Sequence, residues 1–323
     1  MQLRTFLKSF TVSLIVFAAG QANAQDEQDK GHPLAGIPLR SIGPALTTGR
    51  VSDFAFLPGQ WQKHYVAMAS GNLWKTENNG ITWSPVFEHE GAYALGVVEL
   101  DPRNPNTVWV GTGENNSQRS VGYGDGVYRS LDGGKSWERR NRLSNAEACA
   151  HHDHPAAPRD GETGHCVHNM MRAPGDGDLL YQQNHHGVWR SADGGRSWDD
   201  ITAGLPSTFG FPIRVHPRDP DTIWTMPLNG DMAGRFPPDA AAAVWRSRDG
   251  GQSWQDMREG LPQEACFFTV LRQAMGGDRR DPAGVYFGTN SGSVFASTDE
   301  GDSWREIARH MPTILAVEVL DRG

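Results

Sequence analysis

Past its first two dozen residues, this 323-residue chain contains no apolar run of the length that a bilayer-spanning helix needs, which is about twenty residues. It has three cysteines, too few for a disulfide framework to replace a hydrophobic core. Basic residues number 30 against 38 acidic ones, and no Lys/Arg block occurs, so neither a nucleic-acid backbone nor an anionic membrane is an expected partner. Helical periodicity is missing throughout, which argues against bundles and α/β folds. What is abundant is glycine (38), proline (20) and tryptophan (11), a composition of turns and large aromatics.

Residues 1–24 read as a secretory signal. Arg4 and Lys8 form a positive start, SFTVSLIVFAAG an apolar stretch, and Ala22-Asn23-Ala24 a cleavage site with the cut after Ala24. The mature chain is then periplasmic or secreted, with its formal charge moving from -8 to -10 on loss of Arg4 and Lys8. In an oxidising compartment Cys149 and Cys166 are the candidate disulfide pair, leaving Cys266 odd.

The strongest signal is an internal repeat. VYRSLDGGKSW from Val127 returns as VWRSADGGRSW from Val188, VWRSRDGGQSW from Val244 and VFASTDEGDSW from Val294, with a degenerate KTENNGITW around Thr76. The Ser/Thr positions 76, 130, 191, 247 and 297 are spaced by 54, 61, 56 and 50 residues. Two β-prone stretches flank Asp-Gly-Gly, so each box is a hairpin turn in which Ser and Asp side chains bond turn amides and Trp packs over the hairpin. The expected structural set is Ser130, Asp132 and Trp137; Ser191, Asp193 and Trp198; Ser247, Asp249 and Trp254; Ser297, Asp299 and Trp304. Upstream lie further strand-turn-strand units such as ALGVVELDPRNPNTVWVGTG and FPIRVHPRDPDTIWTMP.

Four strands per repeat without helices predict an all-β fold, a β-propeller of four-stranded antiparallel blades. The expected blades are Gly49–Phe87, Tyr93–Arg139, His165–Ile201, Gly210–Met257 and Phe267–Ile307. IPLRSIGPAL at one end and ILAVEVL at the other are expected to close the ring as a partial sixth blade. The expected organisation is a disordered mature N-terminus over 25–36 and one propeller domain over 37–323, with an irregular His/Pro-rich insertion near 140–165.

These residues resemble the BNR or Asp-box propellers, the group of sialidases, xyloglucan-cleaving enzymes and the sortilin ectodomain. GRVSDFAF, GNLWKTENNGITW and VWVGTGENNSQRSVGYGDGVYRS resemble large exported proteins of sortilin-like or glycosyl-hydrolase type. LLYQQNHHGVWRS, FGFPI and DPAGVYFGT resemble a second branch, shorter BNR proteins of exo-α-sialidase type. The two halves meet in RRNRLSNAEACAHHDHPAAPRDGET, where no blade can be read, which suggests a hybrid or rearranged propeller.

In a four-strand meander the boxes and the A–B turns share one face, and the variable B–C and D–A loops share the other, where function is expected. Candidate ligand-binding residues are Arg50, Asn115, Asn116, Arg119, Tyr123, Asn184, His185, Arg214 and Arg272. Arg50, Arg214 and Arg272 fall on or near inner strands and suggest an anion site at the channel mouth. A glycosidase needs two carboxylates about 5 to 9.5 Å apart; the candidates are Glu114, Asp125, Asp231 and Glu264. The resemblance is incomplete at the chemistry. The sialidase word Arg-Ile-Pro is absent, since Phe211-Pro212-Ile213-Arg214 is not it, and MASGNLWKTENNG holds no aspartate where the xyloglucan-cleaving relatives carry a catalytic one.

Seven of the twelve histidines lie within 151–186, and His165, His168 and His185 are the candidate metal ligands, although no spacing matches a metal motif. No cofactor is expected. The reading is an exported monomeric propeller that binds a glycan or protein ligand on the loop face. The alternative is a glycoside hydrolase using loop-face carboxylates, and the third is a structural or assembly partner.

Overall fold

The structure, a computed structural model, describes residues 50–57, 59–113, 124, 126–140, 167–175, 177–230 and 233–319. The signal segment, the N-terminal closing segment, Cys149, Cys166 and the His/Pro-rich insertion up to residue 166 lie outside them.

The described chain forms five four-stranded sheets. The first contains β1 (Val51–Phe56), β2 (His64–Met68), β3 (Asn72–Thr76) and β4 (Ser84–Pro85). The second contains β5 (Leu95–Asp101), β6 (Asn104–Thr112), β7 (Val127–Ser130) and β8 (Glu138–Arg139). The third is β9 (Val167–Arg172), β10 (Leu180–Asn184), β11 (Val188–Ser191) and β12 (Asp199–Asp200). The fourth is β13 (Gly210–Val215), β14 (Ile223–Pro227), β15 (Val244–Ser247) and β16 (Gln255–Met257). The fifth is β17 (Met275–Gly277), β18 (Val285–Gly288), β19 (Val294–Ser297) and β20 (Arg305–Ala308). In every sheet the strands neighbour one another in chain order and pair antiparallel, as the five repeats predict.

The first strand of each sheet lies against the first strand of the next: β1 on β5, β5 on β9, β9 on β13 and β13 on β17. These are the inner strands. The approach of β5 to β9 demands glycine, because a Cβ on Gly96 would lie 2.3 Å from the Val167 carbonyl oxygen. Apolar side chains fill the spaces between successive sheets. Tyr65, Leu73, Phe87, Leu95 and Tyr128 form one such layer, and Tyr181, Val188, Ile201, Ile213 and Ile223 form another. The second, third and fourth sheets are thus covered on both faces by their neighbours, the arrangement that lets antiparallel blades bury both faces.

The boxes fold as their composition dictates. In the second sheet Ser130 Oγ donates to Asp132 Oδ1 (2.8 Å) and accepts from the Gly134 amide (2.8 Å), while Asp132 takes the amides of Lys135 and Ser136 and the Ser136 hydroxyl. The Ser-to-Asp, glycine-amide-to-Ser and second-Ser-to-Asp bonds recur around Asp193, Asp249 and Asp299. Thr76 and Asn78 reproduce most of them in the degenerate box. Both box glycines have positive φ, 74° at Gly133 and 91° at Gly134, and in the fifth box Glu300 takes that conformation at 60°.

Each box is also tied to the A–B turn of its own sheet. Gly133 N donates to Asn106 O, Gly194 N to Asp178 O, Gly250 N to Asp221 O, Asn79 N to Gln62 O and Glu300 N to Ala283 O. Boxes and A–B turns therefore share one end of every sheet. Two of the box tryptophans serve two surfaces. Trp137 lies 3.6 Å from where a Cβ on its own Gly134 would be, and its indole N–H donates to Val86 O of the preceding sheet; Trp254 likewise donates to Ile201 O.

The C-terminal segment runs beside the last inner strand. Ala316 forms a parallel bridge with Gln273, and Val317 N donates to Gln273 O at 2.9 Å. Parallel neighbours are what adjacent inner strands present to each other. Its expected partner, IPLRSIGPAL, lies outside the described residues. No helix among the described residues is long and apolar enough to cross a membrane.

Candidate functional site

The inner strands enclose an axis, and two side chains cross it. Asn169 Nδ2 on β9 donates to the Arg272 carbonyl before β17 (2.7 Å), and Gln273 Nε2 donates to Gly96 O on β5 (3.1 Å). These bonds join the fifth sheet to the third and second. They divide the axis into a loop-face end and a box-face end.

At the loop-face end, β9, the β10–β11 turn, β13 and the segment before β17 bring aromatic, imidazole and guanidinium groups together. His168 is fully buried, with Nδ1–H donating to Gly210 O at 2.6 Å and its ring 4.4 Å from His185 and 4.8 Å from Phe211. Phe209 packs on His185 and on Phe211. The Arg272 guanidinium lies 4.5 Å above the Phe211 ring, and Arg235 stands 5.8 Å from both Phe209 and Phe211. Burial, then the charge of Arg272, holds the His168 imidazole well below its usual pKa. With Nδ1 as donor, the neutral ring keeps Nε2 as a buried acceptor that has no partner among the described residues.

The box-face end is a cavity of about 760 Å³ whose lining includes Trp61, Phe56, Glu99, Arg172, Arg214 and Glu318. Arg172 Nη2 and Arg103 Nε both reach Asp101 Oδ1 at 3.4 Å. Glu99 is pushed up to about 8, first by burial and then by the nearby Asp53, against the opposing charges of Arg214 and Arg172. Asp53 is pushed up to about 7 by burial, although its carboxylate accepts the Val98 amide at 2.9 Å and the Phe54 amide at 2.9 Å. Asp278, at the rim, is held by the amides of Gly284 and Arg280 and the Tyr286 hydroxyl.

The sequence-derived candidates divide between these places. Arg272 and His185 meet at the loop-face end, with His168 beside them. Arg50 is exposed at the start of β1, its carbonyl accepting the Ala69 amide at the same end of the first sheet. Asn184 is buried and spends its Oδ1 on the His186 amide and the Trp189 indole, bracing the β10–β11 turn. Arg214 goes elsewhere: it is the penultimate residue of β13 and descends to the box-face end, so the strand direction separates it from Arg50 and Arg272. Glu264 is exposed beside a groove of about 570 Å³ on the flank of the fifth sheet, formed with Leu261, Cys266, Phe268 and Phe295. Glu114, Asn115, Asn116, Arg119, Tyr123, Asp125, Asp231 and His165 lie outside the described residues.

Among the described residues, no three His, Cys, Asp or Glu side chains come together as a metal set. Arg272 and Arg235 beside His168 and His185 make that pair a setting for an anion or a neutral polar ligand rather than a cation. Cys266 is a buried free thiol turned to the Pro262 carbonyl.

Glu99 and Asp53 were absent from the sequence candidates. The signal was present: each is an acid inside an inner strand, in VVELD and VSDFAF, where the neighbours are apolar. The second strands of the first, third and fourth sheets, β2, β10 and β14, carry aromatics that reach the next sheet. Tyr65 and Tyr181 donate their hydroxyls to Gly133 O and Pro220 O of the following sheet, and the Trp224 indole donates to Glu300 O.

Comparison with known proteins agrees with this architecture. The family model described as sortilin, neurotensin receptor 3, matches residues 125–279. The xyloglucanase Xgh74A of Acetivibrio thermocellus is 28% identical over 255 residues, covering 69% of this chain but 26% of that enzyme. Among solved structures, the GH74 xyloglucanase of Xanthomonas campestris superposes with a TM-score of 0.57 at 18% identity over 83% of this chain and 38% of its own. YCF48 bound to D1 peptide superposes with a TM-score of 0.52 at 15% identity over 83% and 69%. The chain spans about a quarter of the length of the curated relative and over a third of the Xanthomonas structure. Its repeat, its five sheets and these likenesses make the chain a β-propeller protein of the Asp-box type, similar to glycosyl-hydrolase propellers.

Proposed function

We propose that the protein is an exported propeller that binds a carbohydrate on its loop face, at the end of the axis formed by His168, His185, Phe211, Arg235 and Arg272. The observation that carries this reading is a guanidinium–aromatic stack and an imidazole whose buried Nε2 has no partner among the described residues, with the half-buried His185 and Arg235 beside them. Sugars present ring C–H faces and many hydroxyls, and aromatic rings, guanidinium donors and imidazole acceptors answer both. Two of the similar proteins are named xyloglucanases, so xyloglucan oligosaccharides are the first ligands to try.

The same scaffold supports a glycoside hydrolase if two loop-face carboxylates face each other across the ligand. Glu114 and Asp231 are the residues to test for that role. A likeness to YCF48 bound to D1 peptide makes a protein ligand the other outcome to score.

The test is a panel of xyloglucan oligosaccharides, other polysaccharides and chromogenic glycosides, sialosides included, applied to residues 25–323 with thermal shift and turnover read together. Stabilisation without turnover, lost in His185→Ala, is the expected result. Turnover abolished by Glu114→Gln or Asp231→Asn makes the protein a hydrolase. Silence in both readouts contradicts the carbohydrate reading and directs the search to protein partners.

A further inference from the structure

The box-face cavity has no part in the loop-face reading, because the Asn169 and Gln273 bonds close the axis between them. It has the size of a small-molecule site, about 760 Å³. Its wall is mixed. Trp61 is 61% exposed and Phe56 41% exposed, and their rings pack 5.8 Å apart to offer one continuous apolar surface. A contiguous exposed aromatic pair rimmed by polar residues is a mark of a ligand-binding groove.

The floor carries a seated cation. Arg214 enters from β13 and lies along the Gly277 backbone, with Nη2 donating to Gly277 O at 3.4 Å. Neither Gly276 nor Gly277 has a positive φ, so their small size serves another purpose. A Cβ on Gly277 would lie 3.2 Å from Arg214 Nε, and one on Gly276 would lie 2.6 Å from Val317 O. The Gly-Gly pair in AMGGD thus makes room for the guanidinium on one side and the C-terminal segment on the other. That segment in turn delivers Glu318 to the cavity wall.

We infer that this cavity is a second ligand site, which takes a small organic carboxylate, with Arg214 meeting the charge and Trp61 and Phe56 covering the apolar part. The charges around the floor favour an anion. Arg279 joins Arg214 on the lining, Arg103 and Arg172 share the single carboxylate of Asp101, and Asp278 is occupied by its own turn. Glu99, pushed up to about 8 by burial, adds little negative charge to the floor at neutral pH. Glu318 is the opposing anion, and it stands on the exposed terminal segment.

The inference is tested by isothermal titration near neutral pH with two carboxylates, benzoate and glucuronate, and two neutral controls, benzyl alcohol and glucose. Benzoate alone binding assigns an aromatic acid; glucuronate alone assigns a sugar acid; either supports the site. Arg214→Gln is expected to weaken that binding about tenfold or more, the scale of a charge-assisted contact. Trp61→Ala, a surface change that leaves the core intact, is expected to weaken it about threefold to tenfold, and it keeps the test decisive if Arg214→Gln does not fold. Arg272→Gln, at the other end of the axis, is expected to leave it unchanged, which separates this site from the loop-face one. No binding of either carboxylate at about 10 mM, equal binding of the neutral controls, or undiminished binding in Trp61→Ala overturns the inference.

Discussion

The carboxamide of Asn169 donates to the backbone carbonyl of Arg272 at 2.7 Å, linking the third and fifth sheets across the axis they surround. Both partners are buried. Asn169 also accepts the Met170 amide at 2.8 Å through its own oxygen, so both ends of the carboxamide are engaged. Replacing it with alanine leaves a buried carbonyl without its donor, at a cost of about 1–3 kcal/mol. Urea unfolding of Asn169→Ala is expected to show that loss with an unchanged m-value, since the fold itself remains.

The box aspartates spend their oxygens on their own turns, so their loss is expected to register in stability and not in ligand binding. Ser247→Ala removes the acceptor of the Gly251 amide and the donor to Asp249. It is expected to cost about 1–3 kcal/mol, because the Gly251 amide is buried. Thermal unfolding reads the cost. Carbohydrate affinity measured well below the lowered Tm is expected to match the parent chain, and a selective loss of affinity would assign the boxes a direct role.

The sheets are joined by single side chains reaching from one to the next, and each junction is separately testable. Trp254→Phe keeps an aromatic ring over Ile201 and deletes the indole donor to the Ile201 carbonyl. Tyr181→Phe deletes the hydroxyl donor to Pro220 O. Each is expected to cost about 0.5–1.5 kcal/mol, the net worth of one such bond. Both bonds cross the junction between the third and fourth sheets, within one packed layer, so the double variant is expected to depart from additivity by about 0.5 kcal/mol or more.

Stability is expected to fall as pH rises from about 4 to 8. Asp53 and Glu99 have folded-state pKa values of about 7 and about 8 against ordinary values of 3.8 and 4.5. The folded chain therefore binds these protons where the unfolded chain has released them. Their contribution is fully present below the unfolded values and is lost as pH passes through the folded ones. Asp132 and Asp249 act in the opposite sense. Their turn bonds, led by the Ser136 and Ser253 hydroxyls, hold them at about 2, so their contribution disappears only below about pH 4. Calorimetry across pH 4–9 is expected to show a lower Tm at the alkaline end, with Glu99→Gln flattening the slope. A Tm that rises over that interval contradicts the buried-acid assignment.

The architecture was legible because it is written five times. Ser-x-Asp-x-Gly-x-x-Trp specifies one hairpin by local chemistry, and its recurrence located the first four sheets to within about two residues at each end, while the fifth begins at Met275 and not at Phe267. The division of turns between two faces followed from the meander alone. The site was less legible, because it depends on where along an inner strand a residue sits. Arg214 and Arg272 read alike in sequence, as arginines on inner strands, yet four residues of Phe211-Pro212-Ile213-Arg214 carry the first to the far end of the axis. Glu99 and Asp53 were hidden by the opposite difficulty. A single acid in an apolar strand signals burial only once it is known that the strand is innermost. His168 was visible as a histidine on an inner strand, but its open Nε2 follows from the Gly210 carbonyl, 42 residues away.

The most direct test of the account is carbohydrate binding by residues 25–323 at the loop-face end, measured by titration calorimetry with xyloglucan oligosaccharides on the parent chain, His185→Ala and Arg214→Gln. The account predicts binding that His185→Ala weakens by about tenfold and that Arg214→Gln leaves intact. Binding that survives His185→Ala but fails with Arg214→Gln would move the carbohydrate site to the box face, and no binding by the parent chain would contradict the carbohydrate reading itself.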